Sequence, residues 1–120
     1  LFLTKVFPTM KLECRGRLAW FQIARKDLKI QNTAFDFTEN ILSFARSIKG
    51  VEVVALFREL LERKNTIRVN LRSQGKVDVN KIASLFGGGG HKTASGCTVN
   101  GTLEGVRRAV LSRIRKSIIV

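Results

Sequence analysis

Four consecutive glycines, Gly87 to Gly90, set the firmest limit on how this chain folds. Glycine loses more backbone freedom on ordering than any other residue and has no side chain to bury. A run of four therefore neither propagates a helix nor fills a core. Two readings remain: a flexible linker between Phe86 and Cys97, or an ordered segment whose conformation side chains would block. His91 and Lys92 follow at once, and Thr93-Ala94-Ser95-Gly96 follows them. A linker has no need of His-Lys directly after its glycines, which favours the ordered reading. The expectation is an anion site. The amides of Gly88, Gly89 and Gly90 converge on it, His91 and Lys92 supply donors and charge, and Thr93 to Ser95 form one helical turn closed by Gly96. The GxxxxGK[ST] and GxGxxG spacings are both absent, and the glycines follow a helix rather than a strand. This is neither a P-loop nor a dinucleotide fingerprint.

The segments around the glycines read as alternating elements. Leu18 to Ala24 is a short apolar run that suits a buried strand, and the polar stretch Arg25 to Asp36 reads as a loop. Thr38 can cap a helix with Glu39 in its first turn. Ile41, Phe44, Ala45 and Ile48 form its apolar face, and Gly50 ends it. Val51 to Phe57 is a second strand. After the polar turn Glu62-Arg63-Lys64-Asn65, Ile67, Val69 and Leu71 alternate with polar residues, which predicts an antiparallel hairpin. Asp78 caps a helix with Val79, Ile82, Ala83 and Phe86 on one face, ended by Gly87. A strand from Cys97 to Val99 leads through the Asn100-Gly101 turn to a last helix. Thr102 caps it, and Leu103, Val106, Val110, Ile114 and Ile118 form its stripe. The order predicts an α/β fold: a mixed sheet of four to five strands packed with about three helices in a single small domain. Leu1 to Leu12, broken by Pro8, reads as the end of an interdomain linker, and 13–120 as the domain itself.

With 120 residues, 44% of them hydrophobic, the chain can form one core without metal or disulfide staples. It has no apolar run of about 18 residues and no recognisable signal peptide, so no membrane partner is expected. Lys and Arg number 22 against 9 Asp and Glu, a net charge of +13, which favours polyanionic partners such as single-stranded nucleic acid or nucleotide phosphates. Cys14 and Cys97 lie outside any CxxC, and His91 is the only histidine. They read as free thiols in a reducing, cytoplasmic setting.

Catalytic chemistry is hard to assemble within the chain. The close acid pairs, Asp36/Glu39 and Glu59/Glu62, do not adjoin the histidine, and no Asp/His cluster suits a two-metal hydrolase. Cys97 is a weak candidate nucleophile, six residues from His91. Arg72, at the end of its strand and followed by Ser73 and Gly75, can grip a phosphate bidentately. Arg68 shares its polar face but by itself reads as a solvated strand residue. Trp20 and Phe21 can stack a base, although in an apolar run they more often belong to a core.

Val69-Asn70-Leu71-Arg72-Ser73, Val77 to Ala83 and Phe86 to Gly96, in that order, resemble the C-terminal domain of DHH-family phosphoesterases. The likeness is nearest to the bifunctional oligoribonuclease and phosphoadenosine-phosphate phosphatase branch. Arg17 to Trp20 and Ser47 to Val53 match the same branch, so the resemblance covers roughly residues 10 to 119. It implies that this domain binds the substrate's nucleic-acid end through Arg72 and through Gly88, Gly89, Gly90 and His91, with Lys92 beside them. It also implies an N-terminal catalytic domain, absent from this chain, that holds two manganese ions through Asp and His ligands including an Asp-His-His motif. No catalytic or metal residue and no cofactor is then expected here. Alternatives are a stand-alone single-stranded nucleic-acid-binding module and the related C-terminal domain of alanyl-tRNA synthetases, though Gly90-His91-Lys92 and the Val-Asp-Val-Asn helix start fit the phosphoesterase version better.

Overall fold

The computed structural model describes residues 6–26 and 38–118. Residues 27–36 of the expected loop, and the first five residues of the expected linker, lie outside them. Six strands form one sheet: β1 (Lys11–Glu13), β2 (Leu18–Ile23), β3 (Val53–Glu59), β4 (Thr66–Ser73), β5 (Gly89–His91) and β6 (Ala94–Asn100). Their order is β1-β2-β3-β4-β6-β5. β2 and β3 are parallel and every other pair is antiparallel, so the sheet is mixed. The α/β class stands. The two short edge strands, β1 and β5, bring the count above the expected four to five. Residues 6–12, read as the end of a linker, contribute buried Val6, a 3-10 turn at Phe7–Thr9 and part of β1.

Three helices among the described residues cover the sheet: α1 (Thr38–Arg46), α2 (Val79–Leu85) and α3 (Leu103–Ser117). β3 is apolar on both faces because it sits between two cores. Val53, Ala55 and Phe57 pack with Leu18 and with α2 and α3. Val54 and Leu56 pack with Ala19, Phe21, Ile23 and α1. Each large side chain removed from water in this way contributes about 1.5–3 kcal/mol. The β3–β4 hairpin follows from the alternation: Ile67, Val69 and Leu71 are buried on the α2/α3 side.

The helix ends follow their capping residues. Asp78 accepts from the amides of Asn80 and Lys81 and starts α2. Thr102 accepts from Gly105 N and starts α3, whose buried stripe includes Leu111 as well as Val106, Val110 and Ile114. Two expectations need correction. The buried face of α1 is Ile41, Leu42 and Ala45. Phe44 is instead 44% exposed and packs on Phe7, with ring centroids 4.4 Å apart. Thr93 to Ser95 do not form a helical turn. Lys92 and Thr93 make a two-residue connection between β5 and β6, and Ala94 already pairs with His91.

Candidate functional site

The sheet positions the candidate residues through its register. Side chains alternate between faces along a strand, and opposite residues on paired strands share a face. Arg72 pairs with Ala94, which pairs with His91. Arg72 and His91 therefore stand in one row on one face, two strands and ~10 Å apart by Cα. The next row holds Asn70, Gly96 and Gly89, and the row after it Arg58, Arg68 and Thr98. This is the face that α1 covers on β2 and β3, where its apolar cluster ends. Beyond β3 the same face is polar, basic and floored by glycine.

Two carbonyls tie the turn after the glycines to the end of β4 and to the start of α2. Ser73 N donates to Thr93 O at 2.9 Å, and Val79 N donates to Lys92 O at 3.0 Å. The Ser73 hydroxyl, fully buried, donates to Val77 O at 2.7 Å. Arg72 and His91 are thus held on a fixed frame rather than on a free loop. Lys92 lies in the turn, exposed.

The glycines work differently from the expected amide cradle. Gly88 N donates to Ala83 O at 2.9 Å, and Gly90 N donates to Asn80 Oδ1 at 2.9 Å. Two of the three amides are thus engaged inside the domain. Space is what demands glycine. A Cβ at Gly88 would stand 2.1 Å from Gly96 O, and one at Gly90, where φ is +147°, would stand 2.7 Å from Ala94 O. The run lets β5 lie against β6 without side chains between them, and the missing side chain at Gly96 leaves room for the Arg68 guanidinium.

Arg72 is engaged at both ends of its guanidinium. Nη1 donates to Leu71 O at 2.9 Å, and Nη2 donates to the Glu39 carboxylate. Its side chain borders a shallow concavity of about 390 Å³ shared with Ser43, Arg46 and Gln74. Arg58 and Arg68 face each other across β3 and β4. Burial first, and then the Arg68 charge, makes the Arg58 guanidinium give up its proton more readily than usual. Asn70 Oδ1, between the arginine rows, is buried and has no donor among the described residues.

The other candidates are structural. Trp20 lies on the opposite face, edge-on to Phe57 at 6.3 Å, donating Nε1–H to Glu13 Oε2 at 2.7 Å, with the Arg107 guanidinium 5.4 Å from its ring centre. Phe21 is fully buried. Cys97 is a free thiol within the core, and burial raises its pKa, so it is a poor nucleophile. No three His, Cys, Asp or Glu side chains come together among the described residues. The donor set among the described residues therefore does not fit a metal ion. Among the described residues no helix is long and apolar enough to cross a membrane.

Sequence reasoning missed three residues of this arrangement. Arg68, on the same face by strand parity, reads as solvated and is half-buried with its guanidinium over Gly96. Glu39 was visible only as a first-turn acid. Asn80, which ties α2 to the glycine strand, carried no signal without the fold.

Comparison with known proteins places these residues in a family context. The DHHA1 domain family matches residues 28–118. The bifunctional oligoribonuclease and PAP phosphatase NrnA of Thermus thermophilus is 33% identical over 82 residues, which is 68% of this chain and 24% of that protein. An exopolyphosphatase-related protein from Bacteroides fragilis superposes with a TM-score of 0.78 at 28% identity, covering 93% of this chain and 33% of that one. The pGpG-specific phosphodiesterase PggH from Vibrio cholerae superposes with a TM-score of 0.62 at 14% identity, over 97% of this chain and 37% of that one, and shares the fold. The chain spans between 24% and 37% of the length of these three relatives.

Proposed function

Because the chain belongs to the DHHA1 domain family of DHH phosphoesterases, we propose that it is the substrate-binding domain of a manganese-dependent phosphoesterase acting on short oligoribonucleotides or nucleotide 3′,5′-bisphosphates. The observation that carries this reading is the shared row of Arg72 and His91 beside the glycine floor. Arg72 offers a planar fork that matches two phosphate oxygens. His91 offers a ring N–H from the opposite side of the row. Lys92, exposed in the adjoining turn, adds charge without fixed geometry. Gly89 lets a nucleotide backbone lie close to the sheet edge.

In this reading the domain binds and orients, and the chemistry happens elsewhere. The metal ions, their Asp and His ligands and the attacking water belong to an N-terminal catalytic domain of the same protein, where manganese supplies a Lewis acid and an activated water. Binding energy gathered at Arg72 and His91 positions the scissile phosphoester against that centre. The net charge of +13 draws a polyanionic substrate towards the face.

The test is a titration of this chain, labelled with nitrogen-15, with adenosine 5′-monophosphate and a short 5′-phosphorylated oligoribonucleotide. The expected result is saturable shifts at the Arg72 Nε–H, Gly89, His91 and Gly96, weakening as salt rises. Shifts confined to the α2/α3 side, or none at low salt, would remove the face from consideration.

A further inference from the structure

Arg68 does not stand out into solvent from β4. Its guanidinium lies across β6 at Gly96, where Nη2 is 2.6 Å from the position a Cβ would take. Nη1 donates to Thr98 Oγ1 at 3.3 Å. Arg58 is directly opposite on β3, and its Nε is buried without a hydrogen-bond partner among the described residues. Neither arginine is in an ion pair among those residues. Like charges directly opposite in a sheet are destabilising, and a half-buried guanidinium adds a desolvation cost. Ile23 of the apolar cluster borders Arg58 on β2, and the Glu62 charge favours its guanidinium, but neither supplies a hydrogen-bonded partner. A bound anion would relieve the cost.

The spacing says which anion. Gly96 lies two residues along β6 from Ala94, the centre of the Arg72–His91 row. Two residues of strand span ~6.8 Å, close to the backbone repeat of one nucleotide. We propose that Arg68, laid over Gly96 with Arg58 beside it, is a second phosphate position on this face. It takes the neighbouring phosphate of a ligand whose first phosphate is held by Arg72 and His91. The inference rests on the reading of Arg72 and His91 given above. A side chain at position 96 would displace the guanidinium, so glycine there serves the arginine as well as the sheet. Two sources present phosphates at this spacing, the diester backbone of a single strand and the two monoesters of a nucleoside 3′,5′-bisphosphate. The chemistry recognised is the same in both.

Calorimetric titration of this chain at low salt, with three ligands, tests the idea: adenosine 5′-monophosphate, adenosine 3′,5′-bisphosphate and 5′-phosphorylated diadenylate. The wild-type chain should bind each two-phosphate ligand about tenfold more tightly than the monophosphate. Arg68→Gln should cut that preference to about twofold or less and lower the salt slope for two-phosphate ligands by about one, whereas Arg68→Lys should keep part of the preference and a salt slope near the wild-type value. Arg108→Gln, an exposed residue of α3, is the control and should keep the full preference. Arg58→Gln gives an independent arm should Arg68→Gln fail to fold, and it should lower the preference in the same direction. Loss of preference for one two-phosphate ligand alone supports the position and identifies its source. An unchanged preference in folded Arg68→Gln, or in Arg58→Gln where that is the arm used, overturns the inference. Failure of the underlying reading looks different: Arg72→Gln then leaves monophosphate binding intact, whatever Arg68 does.

Discussion

Arg72 and Glu39 close an ion pair between the end of β4 and the first turn of α1, with Arg72 only 15% exposed and Glu39 69% exposed. The pairing is asymmetric. The arginine is held in place by its strand and by the Leu71 carbonyl, whereas the carboxylate is largely in water. On the function proposed above, Glu39 therefore competes with a substrate phosphate for the Arg72 guanidinium. A phosphate carries more charge and a better-matched pair of oxygens, so it can replace the carboxylate at modest cost.

That competition sets the first prediction. Glu39→Gln should raise the affinity of the chain for adenosine 5′-monophosphate. An exposed ion pair contributes up to about 1 kcal/mol, so the gain should be about threefold to fivefold. Calorimetry at constant ionic strength reads it directly. Unchanged or weaker binding in Glu39→Gln would mean that the carboxylate aims the guanidinium rather than competing for it.

The second prediction concerns the two-domain phosphoesterase proposed above. Arg72→Ala and His91→Ala should each lower kcat/KM on short oligoribonucleotides by about 1–3 kcal/mol, a hydrogen bond to a charged group being lost in each case. Arg72→Lys should recover only part, since an ammonium cannot reproduce the planar fork. Binding energy at a remote phosphate is used in the transition state as well, so kcat should fall along with KM rising. Metal content should stay at the wild-type level in every variant. Loss of manganese from any of them would place these residues in the metal centre and not in substrate binding.

Much of this frame was legible in the sequence where side-chain period and capping chemistry speak together. Ile67, Val69 and Leu71 marked β4, and Asp78 and Thr102 marked two helix starts. β5 was not legible, because a strand of glycines has no alternation to read. β1 is three residues long and pairs only at the sheet edge, too short for a period to emerge. Phe44 was placed in the α1 core by spacing alone, but Leu42 fills that position and Phe44 turns to Phe7. The site was half legible. Arg72 and His91 stood out by residue type, while their common row depends on the β4–β6–β5 register, which no local pattern encodes. The placement of the Arg68 guanidinium over Gly96 depends on the same register.

The glycine run yields a third prediction, with two neighbouring positions expected to behave oppositely. Gly88→Ala pushes a methyl to 2.1 Å from Gly96 O and 2.5 Å from Cys97 Cβ, both in the sheet interior. Overpacking of this kind costs about 1–3 kcal/mol, and a backbone carbonyl that cannot swing away puts this case at the top of that range. At Gly89 the one atom within 4 Å of a new methyl is Asn80 Oδ1 at 3.3 Å, a tight contact that a shift of the Asn80 side chain by a few tenths of an ångström relieves. Gly89→Ala should leave the urea midpoint nearly unchanged while weakening phosphate binding. Equal stability loss at both positions would show that entropy, and not close approach, sets the need for glycine.

The last prediction follows from the other side of the sheet, where β1 is fastened to the end of α3. Glu13 accepts from Arg115 Nε at 2.7 Å and from Arg115 Nη2 at 3.1 Å, and its second oxygen also takes the Trp20 Nε1–H at 2.7 Å. The hydrogen bond from Arg115 is the main reason its carboxyl sits below the usual carboxylate range. Burial opposes the shift, while Trp20 and the nearby arginine charges add to it. A carboxyl that is more acidic when folded binds fewer protons in the native state than in the unfolded one. Its contribution is therefore complete above the unfolded pKa of about 4.3 and is lost as pH falls through the lower folded value. Glu13→Gln should destabilise the domain by about 1–2 kcal/mol at pH 7, since a neutral amide keeps only a weaker bond to Arg115. The gap between the two proteins should narrow below about pH 4, as the wild-type carboxyl takes up its proton and loses the same charge. Urea unfolding at pH 7 and pH 3 measures both gaps. Equal gaps at the two pH values would show that Glu13 fastens β1 by shape and hydrogen bonding alone, without the charge.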